Sequence, residues 1–250
     1  MELNGKTPPA GLKVYGYYLI EPFHVPPDSG FFPVSVILSV SDCLCRLHPE
    51  MDWGRYGRAE EDYPRSMGLS PREAQQLREA AEEFMDCWVA DNFPTLAGGR
   101  RVLSLLSSSG RELELVSISF AGEDDRAMRA AVERERGAAP QADEPECGEF
   151  LGFDIVGYEC GSFHSWLCNA LYKDVEESYG LKFNSFGLLE NDWEEVCAMT
   201  AAIQGIGEPV VWTPCVVRRY AAWRMDSRSS PEHGGKGCFV DCASLFLVKK

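Results

Sequence analysis

At 250 residues the chain is long enough for one large domain or two small ones, and a hydrophobic content of 45% can bury a core without disulfide or metal staples. Its 24 Lys and Arg stand against 39 Asp and Glu, a net charge of −15 that repels phosphate backbones and anionic lipid. Nucleic-acid-binding and peripheral membrane roles are therefore not expected, whereas a basic protein partner would be drawn in.

No apolar run approaches the ~20 residues needed to cross a bilayer, and the opening residues lack a basic region followed by an apolar one. A cytoplasmic location is expected on that basis. The ten cysteines are then expected as thiols, most of them small buried hydrophobes.

Residues 12–20 and 32–40 carry β-branched and aromatic runs and are predicted strands, separated by turn chemistry over 21–30. Residues 42–68 mix Gly, Pro, Arg and aromatics without a period and are expected as a long surface loop. Within it, Trp53, Arg55 and Tyr56 are the residue types that anchor protein–protein interfaces, which makes them the candidate partner-binding set. A helix is predicted from Ser70 to about residue 92. Ser70 is its N-cap, Pro71 occupies the first helical position, and Glu73 can close a capping box. Leu77, Ala81, Phe84 and Trp88 form its apolar stripe.

Residues 101–106 and 111–120 flank Ser107, Ser108, Ser109 and Gly110 and read as a β-hairpin, with a bulge between Leu115 and Val116 where the alternation shifts phase. A charged helix is predicted over 122–136. The small, acidic, Pro-bearing stretch that follows has the composition of a linker. The organisation expected is a lobe over 1–136, a linker over 137–149 and a second lobe over 150–250.

The second segment opens with a predicted strand over 150–158. Cys160, Gly161 and Ser162 then lead into a predicted helix ending near Tyr179, with Phe163, Leu167, Leu171 and Val175 on one face and Gly180 as its stop. Asn191 is the predicted cap of a further helix, with Glu194 in the capping-box position and Val196, Met199 and Ile203 buried. Residues 209–220 form a valine-rich predicted strand, 227–237 a polar loop and 238–248 a final strand. The fold class expected is α+β, two small lobes each mixing antiparallel strands with amphipathic helices.

The sharpest chemical pattern is Glu159-Cys160-Gly161-Ser162-Phe163-His164-Ser165-Trp166. A cysteine between a strand and a helix N-terminus sits where backbone N–H groups favour thiolate. The pattern resembles the nucleophile region of the NlpC/P60 cysteine peptidases, and that resemblance implies Cys160 as nucleophile with a strand-borne histidine downstream as base. Only His233 lies downstream, in a Gly-rich stretch, and His164 would project one helical turn away. Cys160 is accordingly expected to be a turn residue, with a cysteine hydrolase as the alternative reading and no catalytic set otherwise.

Cys43, Cys45 and His48, with His233, Cys238 and Cys242, offer six possible metal ligands in two groups. Structural zinc usually takes cysteines paired at gaps of two to four residues. The Cys43–Cys45 spacing is tighter than that, and in a strand both thiols would share one side as core residues. No metal and no cofactor are expected. Phosphate-loop, nucleophile-elbow and dinucleotide-glycine patterns are missing from the sequence. The adjacent acids Asp124 with Asp125, and Glu176 with Glu177, are expected as solvated charges.

Three runs carry a second resemblance: Leu151-Gly152-Phe153-Asp154-Ile155-Val156-Gly157, then Gly161-Ser162-Phe163-His164-Ser165, then Phe183-Asn184-Ser185-Phe186-Gly187-Leu188-Leu189. They are similar to small bacterial proteins encoded beside toxins, the immunity-like class. That resemblance implies a cytosolic, non-enzymatic protein that occludes a toxin domain. With the charge, it makes a protein-binding module that neutralises a basic toxin domain the expected function.

Overall fold

The computed structural model describes residues 8–41, 43–45, 70–73, 75–76, 79, 92–93, 95–107, 110, 112–136, 148–159 and 162–220. The run Lys-Val-Tyr-Gly-Tyr-Tyr-Leu-Ile is apolar at nearly every position, the pattern of a strand covered on both faces. It forms β1 (Lys13–Ile20), buried from Val14 onward. The expected strand over 32–40 reduces to β3 (Val36–Ile37), which pairs with β2 (Phe23–His24) in a separate two-stranded ladder. It stops there because Leu38 N donates to Phe186 O (2.8 Å) instead of to a neighbouring strand.

The capping box at Ser70 is present. Ser70 N donates to Glu73 Oε2 (2.9 Å) while Glu73 N donates to Ser70 Oγ (3.3 Å), and residues 71–73 are helical. The stripe Leu77, Ala81, Phe84 and Trp88 lies outside the described residues, as do the loop bearing Trp53, Arg55 and Tyr56, the linker stretch 137–147 and everything after Tyr220.

The expected hairpin over 101–120 is a helix followed by a strand. After β4 (Asn92–Phe93), Thr95 Oγ1 accepts from Gly98 N (3.0 Å) and caps α1 (Leu96–Leu106). Leu96, Val102, Leu103 and Leu106 bury one helical face, and Gly99 lets the helix approach so closely that a Cβ there would meet Leu115. β5 (Glu114–Phe120) pairs with β1 without a break at Leu115 and Val116. The bulge lies on the partner strand, between Val14 and Gly16. Alternation on β5 then divides its work: Leu115 faces α1, while Val116, Ile118 and Phe120 join the principal core.

α2 (Gly122–Arg136) follows as expected, but Asp125 is not a solvated charge. It is buried and receives Arg129 Nε at 2.9 Å. Arg129 Nη2 also donates to Val14 O (3.0 Å), and its guanidinium lies over the Tyr15 ring at 5.2 Å. The i, i+4 spacing brings the two charges together, and the cation ties the helix to β1.

β6 (Glu149–Glu159) is buried along most of its length, and β8 (Thr213–Tyr220) pairs with it on one side and with β5 on the other. Beyond β6 lies β7 (Ser162–Ser165), giving one fully antiparallel sheet in the order β4-β1-β5-β8-β6-β7. Both helices and antiparallel sheet are present, as an α+β chain requires. Segments 1–136 and 150–250, expected as two lobes sharing an interface, are continuous through this sheet: β8 enters between β5 and β6, pairing with β5 through residues 216–220 and with β6 through residues 213–219.

The helix expected to begin after Cys160 is corrected in the same way. Phe163 belongs to β7, Leu167 to a 3₁₀ turn (Trp166–Asn169), and only Tyr172–Tyr179 is helical, as α3. Ala170 separates the turn from the helix with a φ of 56°. Phe163, Leu167, Leu171 and Val175 are all buried as expected, through three different backbone conformations rather than one. Gly180 ends α3 with a φ of 58° and its N–H on Glu176 O. α4 (Trp193–Ala202) is capped by Asp192 and Glu195, one residue beyond the expected pair. Asn191 is used instead as a brace: its Oδ1 accepts from Lys182 N (2.9 Å), and its Nδ2 donates to Gly180 O and Glu195 Oε2. α4 packs on β6 and β8 through Val196 and Met199, and α3 packs on α4. No described helix is long and apolar enough to cross a membrane.

Candidate functional site

The chain turns sharply after β3, and two thiols leave that turn in opposite directions. Cys45 points inward: its Sγ donates to Ile37 O (3.1 Å) and accepts from Ser39 N (3.3 Å). Burial pushes this thiol up to about 12, so it is a satisfied core group rather than a ligand. Leu44 N and Cys45 N both donate to Ser41 O, which closes the turn and leaves Cys43 exposed. The expectation that the two cysteines share one side does not hold, because they lie in a turn and not in a strand.

Cys43 meets His164. The histidine sits on β7 opposite Gly157, on an edge strand rather than on a helix surface, and it is half-buried. Its Nδ1 lies 3.7 Å from Cys43 Sγ and 3.0 Å from Glu208 Oε2. Cys168, in the 3₁₀ turn that Ser165 caps, completes a group whose three ligand atoms all lie within 4.8 Å of one another. Burial first, then the charges of Glu208 and Cys43, push the Cys168 thiol up to about 12. Glu208 is carried by the loop between α4 and β8. Gln204 pins both ends of that loop, with Nε2 donating to Trp212 O (2.6 Å) and Oε1 accepting from Trp212 N (3.3 Å). Glu208 Oε2 is itself buried and has no hydrogen bond of acceptable geometry among the described residues, despite its approach to the imidazole.

A thiol, an imidazole and a carboxylate in contact resemble a nucleophile, a base and its orienting acid. The geometry differs in one respect that decides the chemistry. A relay needs thiol and carboxylate on opposite ring nitrogens, whereas Cys43 Sγ and Glu208 Oε2 both approach Nδ1. The arrangement converges on a shared point rather than passing a proton along a line.

Beneath this group lies a second polar cluster. Asp154, on β6, is 2% exposed and accepts from Ser39 Oγ (2.6 Å), Ile155 N (2.8 Å) and Ser165 Oγ (3.2 Å). Burial raises its carboxyl to about 6 against those three hydrogen bonds. The cluster fastens the turn before Cys43 to the strand that precedes the 3₁₀ turn. The three runs from which the immunity-like expectation was drawn converge here: Asp154 and Ser165 bond directly, while Leu189 and Phe153 exchange backbone hydrogen bonds at 2.8 and 3.0 Å.

Of the residues singled out in the sequence, Cys43 and Cys45 are placed, one in the cluster and one in the core. Cys160, His48, His233, Cys238, Cys242, Trp53, Arg55 and Tyr56 lie outside the described residues. The element following Cys160 is β7, so the strand-to-helix setting that the peptidase resemblance requires is not formed. Cys168 and Glu208 were not singled out: Cys43 lies 125 residues from Cys168 and His164 lies 44 residues from Glu208, and the four-residue spacing of His164 and Cys168 is the one local signal that could have pointed to the group. A scan against protein-family models, a search of curated proteins and a search of solved structures each return no match.

Proposed function

We propose that the chain is a protein-binding module that neutralises a basic partner, in the way immunity-like proteins occlude a toxin domain. The observation that carries this reading is where the negative charge falls. From Tyr172 to Ala202 there are seven carboxylates, Asp174, Glu176, Glu177, Glu190, Asp192, Glu194 and Glu195, against two bases, Lys173 and Lys182. All seven are exposed or half-buried, and they belong to α3, α4 and the segment joining them, which Asn191 braces into one unit. A fixed, predominantly acidic surface of this kind accelerates encounter with a basic surface and disfavours anionic partners.

Anchoring is a separate matter, since charge steers more than it holds. Trp53, Arg55 and Tyr56 are the proposed anchors. Phe31 adds an exposed apolar ring at 40% exposure beside α3, where Tyr172 Oη donates to its carbonyl and Lys173 lies over its ring at 5.7 Å. The test is recovery of the partner from the native host, followed by association kinetics at two ionic strengths. A basic partner whose association slows with salt supports the reading. An acidic partner, or an association rate indifferent to salt, rejects it.

A further inference from the structure

The cluster at Cys43 brings together soft ligands from three separate parts of the chain: the turn after β3, the β7–3₁₀ segment, and the loop between α4 and β8. We propose that Cys43, His164 and Cys168, completed by the carboxylate of Glu208, bind one zinc ion. A tetrahedral zinc holds its sulfur, nitrogen and oxygen ligands at roughly 2.0–2.3 Å, which separates the ligand atoms from one another by about 3.3–3.8 Å. The separations of 3.7 Å from Cys43 Sγ to His164 Nδ1 and no more than 4.8 Å among the three N/S ligand atoms need only small side-chain adjustments to reach this geometry, and Glu208, whose Oε2 lies 3.0 Å from the same nitrogen but not within that limit of every other ligand atom, would swing in as the fourth ligand.

Two further features point to a cation rather than to packing. Glu208 Oε2 is buried without a hydrogen bond among the described residues, and a buried acceptor in that state is one that an ion would satisfy. The thiol and the carboxylate also both lie beside Nδ1, so that sulfur, nitrogen and oxygen donors are already neighbours. Two thiolates and an imidazole select zinc over magnesium or calcium, which take oxygen sets. Bound there, zinc would clip the exposed turn and the loop to the edge of the sheet.

The test uses the full chain, reduced and stripped with a chelator, then dialysed against zinc chloride and analysed for metal. One zinc per chain is expected in the wild type. Cys43→Ser and Cys168→Ser should each weaken retention by more than the roughly 10–100-fold seen on losing an outer-shell partner, with Glu208→Gln weakening it less. Cobalt in place of zinc should give a thiolate-to-metal absorption band that Cys43→Ser diminishes. Cys43 is exposed, so that variant keeps its fold, which circular dichroism checks. No retention by the wild type overturns the proposal. So does retention that neither serine variant alters, which would assign the metal to other cysteines, and so does a Cys43–Cys168 disulfide that zinc fails to prevent.

Discussion

Ser39 Oγ donates to Asp154 Oδ2 at 2.6 Å, joining a turn near the start of the chain to the centre of β6, 115 residues later. With Ile155 N and Ser165 Oγ on Oδ1, the carboxylate is well bonded yet almost wholly removed from water, and burial outweighs the hydrogen bonds. A raised folded-state pKa means that the folded chain holds this proton more tightly than the unfolded one. Stability from this group is therefore fully present below the ordinary value of 3.8 and is lost as pH rises through about 6. The window spans about two units, so the loss is about 3 kcal/mol. Asp154→Asn keeps an acceptor for Ile155 N and can donate to Ser39 Oγ, and it has no proton to lose. Urea unfolding of both proteins should show the variant gaining on the wild type by up to that amount between pH 4 and 7. A difference that does not change with pH would mean that the carboxylate is not desolvated as described.

Part of this arrangement was legible in the sequence and part was not, for physical reasons. Local signals survived wherever the relevant contact was local. The Ser70–Glu73 box, the Gly180 stop and the long strand over β6 are set by neighbours within a few residues. The hairpin expected over 101–120 failed because Gly98 and Gly99 lower helix propensity while the tertiary contact with Leu115 rewards them. After Cys160, the spacing of Phe163, Leu167, Leu171 and Val175 fits one helix. The pairing of β7 with β6 won instead, and burial of all four residues is common to both solutions. The candidate site was the least visible feature, because Cys43 and Glu208 come to His164 and Cys168 only once the turn at Ser41 and the loop before β8 have been placed.

Cys43 and Cys45 provide a direct check on that turn. They are two residues apart, yet one is exposed and the other is held between Ile37 O and Ser39 N with its thiol raised to about 12. Cys215, on β8, is buried and its thiol is likewise raised well above the ordinary value, again chiefly by desolvation. In metal-free folded protein at neutral pH, limiting iodoacetamide should therefore modify Cys43 well before Cys45 or Cys215, which should react only on unfolding. Peptide mapping by mass spectrometry reads the order. Equal labelling of Cys43 and Cys45 would put both in the same environment and remove the basis for the site.

Gly157 faces His164 across the β6–β7 ladder, and Val210, two residues beyond Glu208, lies directly over it. A Cβ at Gly157 would overlap the Val210 side chain at its branch point, which cannot swing aside as the end of a long side chain could. Gly157→Ala should therefore destabilise the fold by about 1–3 kcal/mol, the range for an overpacked core. Val210→Ala removes the obstruction. The double variant should then be more stable than the sum of the single effects predicts, with a coupling of about 0.5–3 kcal/mol. Additive effects in thermal or urea unfolding would show that the loop does not rest on the strand.

The acidic unit of α3 and α4 carries the proposed function, and its test separates steering from holding. Glu176 and Glu177 are exposed near the end of α3, and neither has a described hydrogen bond through its side chain, so Glu176→Lys with Glu177→Lys should leave folding intact. Reversing two charges on a predominantly acidic surface alters the long-range field but removes no proposed anchor. Association with the basic partner should slow by roughly tenfold at low salt, and raising the salt should erase most of the difference as the Debye length contracts to about 8 Å. Dissociation should change little. Trp53→Ala and Tyr56→Ala should do the opposite, raising the dissociation rate by the equivalent of about 2 kcal/mol while leaving the salt dependence of association as it was. Stopped-flow measurements on the three variants with the recovered partner distinguish these outcomes. If the lysine pair left association untouched at every ionic strength, this surface would not be the one that meets the partner.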